Sequence, residues 1–93
     1  MTLHPDNGGR VLFELADDGD PVRYRVTLFT PADRFEGTAA IGRATGDVET
    51  AGFDEAPAWL TAQVRPFLRQ LWSARRDGGP RWPRRVMRWR QER

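Results

Sequence analysis

Six arginines and two tryptophans crowd the stretch GGPRWPRRVMRWRQER, residues 78–93. A guanidinium group is a planar, permanently charged fork that fits carboxylate and phosphate oxygens. An indole offers a flat face on which an unpaired base can stack. Arg81, Trp82, Arg84, Arg85, Arg88, Trp89 and Arg90 therefore form a candidate surface for an anionic partner. Upstream, Arg65, Arg69, Trp72 and Arg76 fall at i, i+4, i+7 and i+11, one stripe of a helix, and extend the same chemistry. That chemistry is grip and stacking, not bond-making. Nucleic acid is the first partner to expect and an acidic protein the second.

The same residues have an internal use. Trp72, Trp82, Val86 and Trp89 could form a seam that docks a short helix, with arginine stems covering the ring edges. The guanidinium groups would then pair with the chain's own acids, and the protein would be an interaction or homo-oligomerising domain. Monomer and homodimer both stay open. A membrane surface is the weaker partner, because the exposed apolar face would be small.

Catalysis finds little to work with. The chain has one histidine, His4, near its start and one serine, Ser73, on a helix. No cysteine is present, so thiolate chemistry, disulfides and cysteine-bound metals are excluded. The stretch DDGD lacks the frame and closing Glu of a calcium loop, and RATGDVE has no phosphate-binding glycine pattern; both read as turns. A protein without enzymatic activity, cofactor or metal is the expectation.

All fifteen basic residues are arginine, a bias that GC-rich coding favours. The net charge of +2 hides a polarity between halves. Through Thr61, five arginines stand against eleven acids, a balance of −6. From Ala62 onward, ten arginines stand against Asp77 and Glu92, a balance of +8. No run has transmembrane length, and MTLHPDNGG lacks the basic flank and apolar stretch of a signal peptide, which points to the cytoplasm.

The elements that must position this surface follow from periodicity. Residues 1–9 read as a flexible leader and 10–93 as a single domain, since 93 residues leave room for one core. Strands are expected near 10–16, 22–30, 34–43 and 48–53. The clearest is VRYRVTLFT, where Val22, Tyr24, Val26 and Leu28 face one way and Arg23, Arg25 and Thr27 the other. Short turns join them into an antiparallel meander. Glu14, Glu36 and Glu49 on strands beside Arg23, Arg25 and Arg34 predict cross-strand ion pairs on the polar face.

From Asp54 the period changes to that of a helix. Leu60, Val64, Phe67, Leu68 and Leu71 make a stripe that should cover the sheet, with small Gly37 and Ala39 beneath it. One helix is expected over 57–76, kinked at Pro66, and a short second helix over 83–91. The predicted fold is a two-layer α+β domain: a four-stranded antiparallel meander covered on one face by these helices.

Overall fold

The computed structural model describes residues 4–75, 79 and 81–91. Alternation becomes an antiparallel sheet. The strands β1 (Gly9–Asp17), β2 (Val22–Phe29), β3 (Arg34–Ile41) and β4 (Val48–Ala51) form the expected meander. Ala16 is bulged out of β1, so Asp17 stands opposite Arg23. The Asp20–Pro21 peptide in the following turn is cis.

The helix expected over 83–91 is instead a fifth strand, β5 (Arg85–Arg90), antiparallel to β1. Leu12 stands opposite Met87 and Phe13 opposite Val86, and the sheet order is β4-β3-β2-β1-β5. Two physical reasons favour the strand. A helix of nine residues cannot hold itself in water, whereas pairing with β1 satisfies the backbone along its length. The run Val11–Phe13 is also at most 4 % exposed throughout, so β1 is apolar on both faces and suits a central position. Tertiary pairing outweighs the helical preference of arginine and methionine.

The helical layer also differs from the single bent helix expected over 57–76. It consists of α1 (Ala58–Thr61) and α2 (Val64–Ser73), separated at Ala62 and Gln63. Pro66 does not kink an interior; it lies in the first turn of α2. Its missing N–H and the clash of its ring with the carbonyl four residues back stop the ladder one turn upstream. The apolar stripe keeps its phase across the break. Leu60, Val64 and Leu68 are fully buried and Phe67 nearly so.

These side chains meet Val11, Phe13, Tyr24, Val26, Leu28 and Ile41 on the covered face of the sheet. Phe13 stacks on Phe67 at 5.0 Å between centroids and meets Tyr24 edge-on at 6.0 Å. Full burial of one such side chain contributes about 1.5–3 kcal/mol. Among the described residues no helix covers the opposite face. No helix among them is long and apolar enough to cross a membrane.

Candidate functional site

The arginines and tryptophans singled out in the sequence are spread over several places, not one. The α2 stripe is turned onto the β3–β4 connection. Arg65 donates from Nη1 to the Val48 carbonyl at 2.6 Å, and Arg69 from Nη1 to the Gly46 carbonyl at 3.3 Å. Trp72 donates from Nε1 to the Arg43 carbonyl at 2.9 Å, with the Arg69 guanidinium 5.9 Å from its ring centroid. The indole lies directly on Gly46, whose φ of +74° suits glycine; a Cβ there would meet the ring at 2.7 Å. Arg65, Arg69 and Trp72 thus clamp a turn. Arg76 lies outside the described residues.

The second place surrounds Trp82, which is 8 % exposed and belongs to the core. Its ring lies 6.3 Å from that of Tyr24, and the Arg75 guanidinium sits 5.6 Å from its centroid. Tyr24 donates its hydroxyl to the Pro83 carbonyl at 2.8 Å. Burial pushes the Tyr24 phenol up to about 12, against the opposing pull of the Arg75 charge. The backbone carbonyls of Arg81 and Arg84 accept from Arg75 Nε at 3.2 Å and from the Leu15 amide at 2.8 Å. The side chains of Arg81 and Arg84 border a cleft of about 780 Å³ with Asp18, Arg43 and Arg75. Arg43 uses its guanidinium there on the carbonyls of Asp18 and Gly19.

The third place is the open face of the sheet, and the period of β5 decides who reaches it. Val86, Arg88 and Arg90 point to the covered side, where the Arg88 guanidinium stands 4.6 Å over the Phe67 ring. Arg85, Met87 and Trp89 point to the open side. Trp89 is 46 % exposed, the large apolar side chain most open to water among the described residues. Its Nε1 donates to the Asn7 carbonyl at 2.9 Å. Its ring edge lies over Gly8, at φ +68°, where a Cβ would meet the indole at 3.1 Å. The indole is therefore held in place while a large part of it faces solvent.

Register places the open face in rows. Trp89, Arg10, Phe29 and Arg34 form the first, and Met87, Leu12, Thr27 and Glu36 the second. Arg85, Glu14, Arg25 and Thr38 form the third. Arg23, Ala40 and Glu49 form the fourth, nearest β4. Leu12, Thr27 and Phe29 are buried by their neighbours, and His4 closes the Phe29 end. Its Nδ1 lies 2.8 Å from the Thr30 carbonyl and its ring meets Phe29 edge-on at 5.4 Å.

The cross-strand ion pairs expected on this face are not formed among the described residues. Arg34 approaches Glu36 at 3.8 Å on its own strand, both well exposed, while Arg23, Arg25 and Arg85 have no carboxylate within 4.0 Å. Sequence reasoning separated Arg23 and Arg25 from the surface of interest, yet they share a face with Trp89. It also passed over Arg10 and Leu12. The alternation of VRYRVTLFT already aimed Arg23 and Arg25 outward; the missing signal was the period of two in Arg85, Met87 and Trp89.

Among the described residues no three His, Asp or Glu side chains gather as a metal cage. What the open face can supply is positive charge together with an exposed indole at one edge. Comparison of the chain with protein-family models, curated proteins and solved structures gives no match.

Proposed function

We propose that this chain is a binding module without catalytic activity that holds single-stranded nucleic acid on the open face of its sheet. The observation that carries the reading is Trp89: an anchored indole, 46 % exposed, on the face that also presents Arg85 and Arg25. Stacking of a base on such a ring contributes roughly 1–3 kcal/mol and tolerates any base. Arginine forks beside it take the phosphates bidentately. An exposed ring stacks on bases that are already unstacked, so single strands should bind in preference to duplex.

The test is fluorescence anisotropy of a labelled thymine nonamer at about 50 mM salt, where phosphate contacts are strongly favoured. Trp89→Ala should weaken binding roughly tenfold or more, the equivalent of one lost stack. The log affinity should fall with log salt by about 0.7 per phosphate engaged. Replacing Arg25 and Arg85 together by Gln should make that slope shallower by about 1.4. No binding by the parent protein at this salt would end the reading.

A second reading, self-association, draws on the outer edge of β5, which has no neighbouring strand among the described residues. Arg85, Arg88 and Arg90 on that edge oppose it, since pairing two copies antiparallel would set arginines against arginines. Sedimentation equilibrium separates the readings: a concentration-dependent dimer that excludes oligonucleotide would favour assembly.

A further inference from the structure

The open face has a second feature, at the opposite end from Trp89. Between β2 and β4 it sinks into a shallow trough of about 480 Å³. Ala40 and Thr38 of β3 make its floor, with Ala51 at one side. Arg23 and Arg25 stand along the β2 wall and Glu49 on the β4 wall. Arg23 and Glu49 flank Ala40 in the same row, two strand spacings apart, which is about 10 Å between backbones. None of Arg23, Arg25 and Glu49 has an ion pair within 4.0 Å among the described residues. Two cationic forks and one carboxylate therefore face each other, unspent, across a floor of small side chains.

We propose that this trough is a guanine-selective base subsite, an inference that rests on the nucleic-acid reading above. The floor has room for a flat ring because Ala40 and Ala51 carry only methyl groups. The polarity of the walls orients the ligand: phosphate is repelled by Glu49 and held by Arg23 or Arg25, so the base points towards β4. A carboxylate only accepts hydrogen bonds. Guanine alone presents two adjacent donors, N1–H and the 2-amino group, to an acceptor of that kind. Adenine and cytosine set a ring acceptor beside their amino group, which repels the carboxylate, and thymine flanks its one donor with two carbonyls. The arginine wall complements the guanine choice, because a guanidinium fork bonds O6 and N7 of guanine bidentately. β4 is a four-residue edge strand, so the trough opens at the rim of the sheet and a strand can leave it there.

The experiment compares thymine nonamers carrying one central guanine, hypoxanthine, adenine or thymine, by anisotropy with the full chain. The guanine nonamer should bind about tenfold tighter than the all-thymine one, the scale of a charge-assisted hydrogen-bond pair. Hypoxanthine, which lacks the 2-amino group, should fall between them. Glu49→Gln should bring guanine to the thymine level, leaving thymine binding and its salt slope no weaker. Ala40→Leu, which fills the floor without touching charge, should remove the preference as well. Both positions are on the solvent side of the sheet, and melting curves of the variants establish that they are folded. Equal binding of all four nonamers, or a guanine preference that survives Glu49→Gln and Ala40→Leu, overturns the subsite and leaves the single-strand reading standing. No binding of any nonamer at about 50 mM salt overturns both.

Discussion

Arginine does different work on the two faces of this sheet. On the covered side its donors end on backbone carbonyls: Arg65 on Val48, Arg69 on Gly46, and Arg75 on Leu71 and Arg81. There guanidinium groups replace the water that turns and strand ends would otherwise need, and their stems lie over rings. On the open side Arg23, Arg25 and Arg85 have neither a carbonyl nor a carboxylate partner among the described residues. The tryptophans divide in the same way, Trp82 into the core and Trp89 onto the open face. Residue type does not separate the partnered arginines from the unpartnered ones; what each donor meets does.

Shortening the two tryptophans in turn separates the two faces most strongly. Trp82→Ala removes a buried ring from between Tyr24 and Arg75 and should cost about 3–5 kcal/mol in urea denaturation. That is a large part of a stability expected at about 5–15 kcal/mol, so Trp82→Phe is the milder companion. Trp89→Ala should cost about 1 kcal/mol or less, since its ring is half exposed and gives up one hydrogen bond. Equal costs would show that Trp89 is structural too, and the open face would lose its best contact.

Alkaline pH probes the covered side alone. The Tyr24 phenol titrates at about 12 in the folded chain, above the ordinary value of 10, because burial disfavours the phenolate. The folded state therefore binds the proton more tightly than the unfolded one. Tyr24's contribution is fully present below pH 10 and is lost progressively as pH rises towards about 12. Denaturation across that window should show falling stability, with a gentler fall in Tyr24→Phe.

Gly46 tests the clamp on the β3–β4 turn. Gly46→Ala places a methyl group against the Trp72 ring and in a left-handed backbone conformation. A loss of about 1–3 kcal/mol in urea denaturation is expected. A variant as stable as the parent would mean that Trp72 swings clear at little cost, and that the α2 stripe is free to bind something else.

Much of the covered side was legible in the sequence. The alternation of residues 22–29 and the helical spacing of Leu60, Val64, Phe67 and Leu68 each report one buried face, and burial outweighs other local preferences. The open side was hidden because its key strand is ambivalent. RVMRWR carries an apolar residue on each strand face and fits a helix edge equally well, and only a partner strand resolves it. The clue lay far away, in the unbroken apolar run Val11–Leu12–Phe13, which a half-covered edge strand would not carry. Once β5 is a strand, Trp72, Trp82 and Trp89 cannot share a seam. Trp82 precedes β5 and turns into the core, and Trp89 alternates away from Val86. The helix break at Ala62–Gln63 was missed by one turn, because a proline interrupts the ladder upstream of itself.

Matched arginine substitutions on the two faces differ by less, but they isolate a single charge on each. Arg65→Met and Arg25→Met each remove one positive charge while keeping an unbranched stem. Arg65→Met also takes a charged donor from the Val48 carbonyl, at the start of a four-residue edge strand with few other ties. Its loss should cost about 1 kcal/mol, reduced from the buried value because the site is partly open to water. Arg25→Met removes no partnered donor and relieves its repulsion with the other arginines of the open face, so stability should stay within about 0.5 kcal/mol. Oligonucleotide affinity should respond in the reverse order, falling for Arg25→Met and holding for Arg65→Met. Equal losses of stability would place Arg25 among the structural arginines and remove one wall of the proposed guanine trough. A loss of affinity in Arg65→Met alone would move the binding surface from the sheet to α2.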